Sequence, residues 1–323
     1  MPKSVPELSI ITPNFNCLPY LEAWLNSILQ QSYNEYEIIV VDDGSTDGSK
    51  TWLSEKEEQL ECLTVLYENK LGPGGARNTA AQIARGRYLA FLDADDVWLP
   101  GKLEQQMRFH KNNPDVVLSF TDYEHIKEDT GDAIIGCFDY WPLFRKTNRL
   151  ESVELQGYQI LTNALAQLFS ENVVGTSTTL VARSAFLAVG GFDTALKSAS
   201  DWDLWLKLAA LGDVGFTMEK TMLYLMRSGS VSSNIKNRIA AMESITARHV
   251  NHAATQNHHV KRIAQARISV AKAEYCDSRQ NQWGKFLYSC KAFMQQPCER
   301  YFKEMVKAIL MLPEQLLRHK QAQ

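Results

Sequence analysis

Hydrophobic and polar residues alternate in blocks along the first 120 residues of the chain. Short apolar runs bounded by turn-forming residues predict buried strands, and the segments between them repeat apolar residues at helical spacing. The predicted strands are residues 8–13 (LSIITP), 37–41 (EIIVV), 63–67 (LTVLY) and 87–92 (RYLAFL). Repeated strand–helix units of this length predict a parallel sheet covered by helices, with the loops that follow the strands along one edge.

The pattern becomes less regular after the fourth predicted strand. Further strand-like pieces occur at 116–120, 132–138 and 177–182. From about Asn237 onward, Ala, Gln, Lys and Arg dominate and strand signals are few, which predicts helices. We therefore expect an α/β domain over residues 1–235, with halves at about 1–120 and 121–235, and an α-helical region over 236–323.

Composition narrows the class of protein. Of the 323 residues, 45% are hydrophobic and 22% are charged, as in ordinary globular proteins, and the net charge of −3 argues against a general nucleic-acid binder. Six scattered cysteines without a CxxC pair indicate a reduced compartment rather than a disulfide framework or a zinc site. The N-terminus lacks a signal-peptide core, and no apolar stretch approaches a membrane span of ~18 residues. We expect a cytoplasmic protein, with peripheral attachment to the inner face of the cell membrane left open.

Three carboxylates directly follow the fourth predicted strand. Asp93, Asp95 and Asp96 should lie at its carboxyl end, because Asp is depleted within strands, and open α/β sheets bind ligands at that end. Clustered carboxylates repel one another without a cation, and their hard oxygens suit Mg²⁺ or Mn²⁺. The alternative is a solvated acidic loop in which Asp96 caps a helix.

Four segments, correctly ordered and spaced, resemble the motifs of glycosyltransferase family 2. These segments are ITPNFN (11–16), VVDDGSTDGS (40–49), GPGGARNTAAQIARGRYLAFLDADD (72–96) and SASDWDLWLKLA (198–209). The resemblance covers about residues 8–230 and leaves the helical tail outside. It implies the GT-A fold, a Rossmann-like, mostly parallel sheet flanked by helices, with a nucleotide-binding half before residue 120 and an acceptor half after it.

The resemblance implies a nucleoside pocket after the first two strands. Asp43 would accept the imide N–H of a pyrimidine such as uracil, beside Gly44, which permits close approach of a ligand. Thr12, Pro13 and Phe15 would line the same pocket, with Phe15 near the base. The alternatives are an Asx turn for Asp43 and plain core packing for Phe15.

The resemblance also implies that the acidic loop binds the diphosphate and a divalent ion, Mn²⁺ or Mg²⁺. Asp95 would bind the ion directly, and Asp93 would contact ribose or reach the ion through water. Arg77 follows the glycine-rich segment LGPGG and would hold a phosphate or the metal-site carboxylates, or form a structural salt bridge to the acidic loop. Arg227 is a further phosphate candidate, in a segment where many family members have a His and this chain has Ser.

Asp201, at the start of the helix predicted over 201–211, corresponds to the family's catalytic carboxylate. It would act as the general base toward the acceptor hydroxyl. An N-cap role is its alternative, although Ser200 is also able to cap. The resemblance, together with the single base candidate, implies inverting transfer from a nucleoside diphosphate sugar, UDP-sugar favoured, for which no enzyme nucleophile is needed. Family analogy points to bacterial surface polysaccharide or lipopolysaccharide synthesis.

Two other functions and two roles of the tail stay open. The chain is alternatively a catalytically inactive sugar-nucleotide-binding protein, or a nucleotidyltransferase, although the latter usually has a GxGxR-type loop where this chain has TPNFNC. Residues 283–323 contain seven Lys or Arg against three Glu. This basic segment would contact an anionic membrane or a lipid-linked saccharide acceptor, or it would pack on the catalytic domain or on a second copy of the chain.

Overall fold

The computed structural model of the protein describes residues 5–152, 156–226 and 234–312. The described residues form two compact units. The first unit lies within residues 5–195 and 200–226, and the second comprises 196–199 and 234–312. The domain boundaries expected at residues 120 and 235 stay predictions.

The first unit contains a sheet with helices between its strands. Its strands are β1 (Leu8–Asn14), β2 (Tyr36–Asp42), β3 (Leu63–Tyr67), β4 (Tyr88–Phe91), β5 (Val97–Trp98), β6 (Val116–Lys127), β7 (Ala133–Gly136), β8 (Gln159–Ile160), β9 (Leu180–Ala182) and β10 (Asp213–Met226). Its helices are α1 (Leu18–Leu29), α2 (Ser49–Gln59), α3 (Gly72–Ile83), α4 (Lys102–Asn112), α5 (Cys137–Tyr140), α6 (Pro142–Thr147), α7 (Ala164–Ser170), α8 (Arg183–Ala188) and α9 (Ser200–Ala209).

The strand order is β3-β2-β1-β4-β9-β6-β10-β5, with β7 beside β6 and β8 beside β10. Strands β3, β2, β1 and β4 are parallel, which confirms the predicted parallel half. The second half is mixed, because β9 runs antiparallel to both β4 and β6. Since β1, β2 and β4 all end at one edge of the sheet, the loops that follow them converge there.

The strand predicted over 177–182 is shorter in the structure. Only Leu180–Ala182 is a strand, and Thr176–Thr178 is a turn of 3-10 helix. The Thr178 hydroxyl donates to the Gly175 carbonyl and the Thr179 hydroxyl to the Thr176 carbonyl, both at 2.7 Å. These local bonds compete with strand pairing, so the chain turns before it joins the sheet.

The second unit is helical. Its helices are α10 (Ile235–Gln256), α11 (Val260–Ser278), α12 (Gln282–Gln295) and α13 (Glu299–Leu310). Each packs against its neighbour along the chain, with alanines such as Ala253, Ala264 and Ala266 buried between them. The predicted helical C-terminal region is thus confirmed for its described residues. Within those residues, no helix is both long and apolar enough to cross a membrane.

Candidate active site

The loops after β1 and β2 are joined by side-chain hydrogen bonds. The Asn14 amide donates to the Asp42 carboxylate at 2.6 Å, and the Ser45 hydroxyl donates to the same carboxylate at 2.6 Å. The backbone N–H of Thr46 donates to the Asn16 side chain at 2.8 Å. Asp42 therefore supports the turn, and the two loops form one connected rim at the edge of the sheet.

Asp47 binds the first residues of two helices. Its carboxylate accepts the backbone N–H of Leu18 at 2.8 Å and that of Ser49 at 3.0 Å, at the starts of α1 and α2. Partial burial opposes ionisation, but the hydrogen bonds from Ser49 and Leu18 outweigh it and lower the pKa of Asp47. A carboxylate at a helix start also interacts favourably with the helix dipole.

Asp43 has a structural role that the sequence did not reveal. Its two carboxylate oxygens accept the backbone N–H groups of Leu71 at 2.7 Å and Gly72 at 2.8 Å, where α3 begins. Each carboxylate oxygen has two acceptor positions, so a ligand N–H is still able to bind. The expected contact between Asp43 and a pyrimidine base stays a prediction.

The other residues expected in the nucleoside pocket differ in accessibility. Thr12 is fully buried and accepts a hydrogen bond from the Trp24 indole N–H at 3.1 Å, so its side chain faces the interior instead of lining an open pocket. Pro13 is half-buried. Phe15 is 58% exposed, so core packing does not explain it, and its ring is accessible to a ligand.

Arg77 lies in the first turns of α3 and is 5% exposed. It forms an ion pair with Asp93, and its guanidinium lies 5.3 Å from the centre of the Phe192 ring. The neighbouring Asn78 amide pairs with the backbone of Phe192, donating to its carbonyl at 2.8 Å and accepting its N–H at 2.9 Å. Arg77 is thereby held against the acidic loop, and a phosphate contact stays a prediction.

The acidic loop is connected to the turn Thr176–Thr178 through Ser177. The Ser177 hydroxyl donates to the buried Asp96 carboxylate at 2.5 Å and accepts the backbone N–H of Asp93 at 3.0 Å. Burial raises the pKa of Asp96 well above its ordinary value, and the charges of Asp93 and Asp95 raise it further. The three carboxylates of this loop are therefore close enough to repel one another.

The donor set fits a divalent ion that shares its coordination with a ligand. Burial raises the pKa of Tyr224 on β10, and four carboxylates add to the effect: Asp96, Asp93, Asp95 and Asp201. This electronegative region offers hard oxygen ligands. In the described ranges, however, no group of three or more His, Cys, Asp or Glu side chains is arranged to hold a metal by itself. A Mg²⁺ or Mn²⁺ ion would therefore need oxygens from a bound diphosphate.

Asp201 is the second residue of α9, so it lies inside the first turn and not at the cap position. It accepts hydrogen bonds from the Thr176 hydroxyl at 3.3 Å and from the Trp202 N–H at 2.8 Å. Burial raises the pKa of Asp201, against the opposing effects of the Trp202 N–H and the Arg77 charge. A carboxylate with a raised pKa is a better proton acceptor, as a general base requires.

The structure thus brings Asp93, Asp95, Arg77 and Asp201 together, and adds Thr176, Ser177, Phe192 and Tyr224, which the sequence did not single out. For Thr176 and Ser177, the sequence does contain one indication: four consecutive hydroxyl residues follow a glycine in GTSTT (175–179), a pattern that favours turns and local side-chain hydrogen bonds. Arg227 lies outside the described residues.

Residues 9–167 match glycosyl transferase family 2. The chain is 31% identical over 231 residues to the putative teichuronic acid biosynthesis glycosyltransferase TuaG of Bacillus subtilis, covering 71% of this chain and 82% of that protein. It is 38% identical over 133 residues to WfgD of Escherichia coli, a UDP-Glc:alpha-D-GlcNAc-diphosphoundecaprenol beta-1,3-glucosyltransferase, covering 41% of this chain and half of that protein's length (50%).

Solved structures agree on the fold. TarS 1–349 of S. aureus in complex with UDP superimposes with a TM-score of 0.62 at 19% identity, covering 91% of this chain and 82% of the TarS 1–349 chain. The mannosyltransferase PcManGT of Pyrobaculum calidifontis, in complex with GDP-Man and Mn2+, gives a TM-score of 0.58 at 19% identity, covering 95% of this chain and 85% of that one. The chain belongs to glycosyltransferase family 2 and has the GT-A fold.

Proposed function

We propose that the protein is an inverting, metal-dependent glycosyltransferase that moves a sugar from a UDP-sugar to an acceptor hydroxyl. The observation that supports this most strongly is that Asp201 lies within electrostatic reach of the Arg77–Asp93 ion pair at one edge of the sheet. One candidate base thus lies beside a candidate diphosphate site. That arrangement suits a single displacement.

In this proposal each side chain has one task. Asp43 and the exposed Phe15 bind the base of the donor, while Arg77 and the start of α3 attract its diphosphate. Asp95 would hold a divalent ion, and Asp93 would contact ribose or reach the ion through water. When bound, the ion would supply Lewis-acid stabilisation of the departing diphosphate. Asp201 accepts the proton of the acceptor hydroxyl as that oxygen attacks the anomeric carbon.

A binding and product assay tests the proposal. UDP-, GDP- and dTDP-sugars are screened by thermal shift with Mn²⁺ or with EDTA, since a ligand raises the melting temperature by mass action. Products are then identified with saccharide acceptors. We expect free UDP; no turnover would indicate an inactive binding protein, and pyrophosphate a nucleotidyltransferase. Equal nucleotide affinity in EDTA would remove the metal from the mechanism.

Substitution should separate binding from turnover. Asp95→Asn should lose metal-dependent UDP binding in calorimetry, whereas Asp201→Asn should keep it, and both should lose transfer. Asp213→Asn, an exposed carboxylate on β10, serves as the control with full activity. Near-wild-type transfer by Asp201→Asn would refute the base assignment.

For the acceptor we propose a saccharide on a lipid carrier, in bacterial surface polysaccharide or lipopolysaccharide synthesis. The names of TuaG and WfgD support this, since they denote teichuronic acid synthesis and transfer to a diphosphoundecaprenol-linked sugar. Donor and acceptor then meet at the inner face of the cell membrane, in the cytoplasm. Such an acceptor favours an enzyme that stays close to the membrane surface.

The exposed face of α12 and α13 suits that attachment. Its exposed apolar side chains are Trp283 (49%), Leu287 (51%), Met294 (72%), Phe302 (50%) and Leu310 (79%). The surrounding sequence has an excess of basic residues, each contributing on the order of 1 kcal/mol near an anionic leaflet. We propose that this face rests on the membrane without inserting a helix across it.

Flotation with anionic liposomes tests the attachment. We expect binding at low salt that is lost at high salt, and weaker binding for Met294→Ser/Leu310→Ser. A control pair, Leu187→Ser/Leu211→Ser, removes two leucines of the first unit that are 47% and 53% exposed, and should bind normally. No flotation together with a dimer in light scattering would instead assign the face to a second copy of the chain.

A further inference from the structure

The turn Thr176–Thr178 lies between the two groups of carboxylates that the proposed reaction uses. The Thr176 hydroxyl donates to Asp201 at 3.3 Å. The next hydroxyl, that of Ser177, donates to Asp96 at 2.5 Å and accepts the N–H of Asp93 at 3.0 Å. Adjacent residues of one turn therefore bind the candidate base and the acidic loop.

Buried side chains hold this turn from its other side. The Trp98 indole N–H donates to the Ser177 carbonyl at 2.6 Å, and the Gln106 amide donates to the Thr178 carbonyl at 3.1 Å. Lys102 supports both, since its ammonium lies 2.8 Å from the Gln106 oxygen and 4.2 Å from the centre of the Trp98 ring. All three side chains are buried, so two successive carbonyls of the turn have fixed partners.

Gly175 brings the chain against an aromatic ring where the turn begins. A Cβ atom at this position would lie 2.6 Å from Cε1 of Tyr123, closer than van der Waals contact permits. The entry to the turn therefore has no room to shift toward β6. The turn is a rigid part of the site, not an exposed connection.

We propose that the turn Thr176–Thr178 is a positioning element, in which Thr176 orients Asp201 and Ser177 holds the acidic loop at a fixed distance from it. The positioning of Asp201 rests on its proposed role as the base. Thr176 and Ser177 contact carboxylates and not the reacting atoms, so they act through Asp201 and the acidic loop.

Asp201 is surrounded by groups that affect its ionisation in opposite directions. Burial raises the pKa of Asp201, and the charge of Asp93 also raises it. The Trp202 N–H, the Arg77 charge and the Thr176 hydroxyl lower it. Tyr224 on β10 also interacts electrostatically with Asp201, as it does with Asp93, Asp95 and Asp96. Removing the Thr176 hydroxyl should therefore reduce the ionised fraction of Asp201 at any given pH on the acid side.

The first test compares Thr176→Val with Thr178→Val on the full chain. Both changes remove a hydroxyl from the same turn, but that of Thr178 donates only within the turn, to the Gly175 carbonyl at 2.7 Å. We expect the acid limb of the pH dependence of kcat to move to higher pH in Thr176→Val, so that kcat falls about two- to tenfold at acid pH. The KM for the donor should be unchanged. Thr176→Ser should restore the limb, and Thr178→Val should leave it in place.

The second test uses Ser177→Ala and a readout other than activity. Titration of UDP with Mn²⁺ in a calorimeter should show affinity reduced about two- to tenfold, because the acidic loop loses its hydroxyl partner. The acid limb of kcat should not move in this variant. Thr176→Val should keep wild-type UDP affinity, so the two hydroxyls separate the two functions.

Two outcomes would overturn the inference: a Thr176→Val pH profile that superimposes on that of the wild type, or wild-type UDP affinity in Ser177→Ala. Failure of the proposed function is distinguishable, because it is tested by Asp201→Asn. If Asp201→Asn is inactive and the pH profile of Thr176→Val is that of the wild type, the base assignment stands and the positioning role is refuted.

Discussion

Replacing Asp43 with Asn should affect both stability and nucleotide binding. The carboxylate accepts one backbone N–H on each oxygen, from Leu71 at 2.7 Å and Gly72 at 2.8 Å. Asparagine keeps one acceptor oxygen, so one N–H would face an NH₂ group. A hydrogen bond to a charged group contributes about 1.5–3 kcal/mol, and a carboxylate at a helix start contributes about 0.3–1 kcal/mol. We expect Asp43→Asn to lower the free energy of unfolding by about 2–4 kcal/mol.

Asp47 provides a matched control for this prediction. Its carboxylate also accepts backbone N–H groups at helix starts, from Leu18 at 2.8 Å and Ser49 at 3.0 Å, but it is exposed and has no predicted ligand. Asp47→Asn should lower the free energy of unfolding by about 1 kcal/mol. Urea denaturation measures both losses. Calorimetry, at a temperature where both variants are folded, should show at least tenfold weaker UDP binding for Asp43→Asn alone.

Two results would refute this account. If the free energy of unfolding of Asp43→Asn lies within about 0.5 kcal/mol of the wild-type value, the hydrogen bonds from Leu71 and Gly72 do not stabilise the start of α3. If the variants of Asp43 and Asp47 bind UDP equally well, the weaker stability of Asp43→Asn has no bearing on recognition, and the assigned contact with the base is wrong.

For three further substitutions, burial or close packing determines whether the free energy of unfolding rises or falls. Burial raises the pKa of Asp201 in the folded protein, so ionisation of this carboxyl lowers stability as the pH rises from the ordinary carboxyl pKa through the folded one. Asp201→Asn should therefore be inactive but more stable than the wild type in urea at neutral pH. At strongly acid pH, where the carboxyl is protonated in both states, the variant should show no such gain in stability. Burial lowers the pKa of Lys102 to about 7, so its charge destabilises the fold fully below that pH and not at all above about 10.4. Lys102→Met should be more stable by about 1–3 kcal/mol near pH 6, and equal stabilities there would refute this. Gly175→Ala should lose about 1–3 kcal/mol of unfolding free energy and most transfer activity, because the new methyl would lie 2.6 Å from Tyr123; wild-type kinetics would contradict a rigid turn.

The sequence by itself determined the parallel half of the sheet and the edge at which the site lies. Strands β1 to β4 were predictable because each is an apolar run, and burial of such a run is required whichever strand lies beside it. The acidic loop could be assigned to the carboxyl end of β4 because Asp93 and Asp95 disfavour the strand itself. Both inferences depend on short-range properties of the chain.

Tertiary structure alone decided which partners the polar side chains have. Asp43 caps α3 across 28 residues of sequence, and Ser177 reaches Asp96 across 81. Thr12, expected at a pocket, is instead fully buried against Trp24, while the stretch predicted as a strand from 177 begins as a turn. A hydroxyl or a carboxylate forms equally good hydrogen bonds with many groups. Its partner therefore depends on which distant elements packing brings within about 3 Å of it. The spacing of residues along the chain predicts which of them are buried, but not which residues they contact.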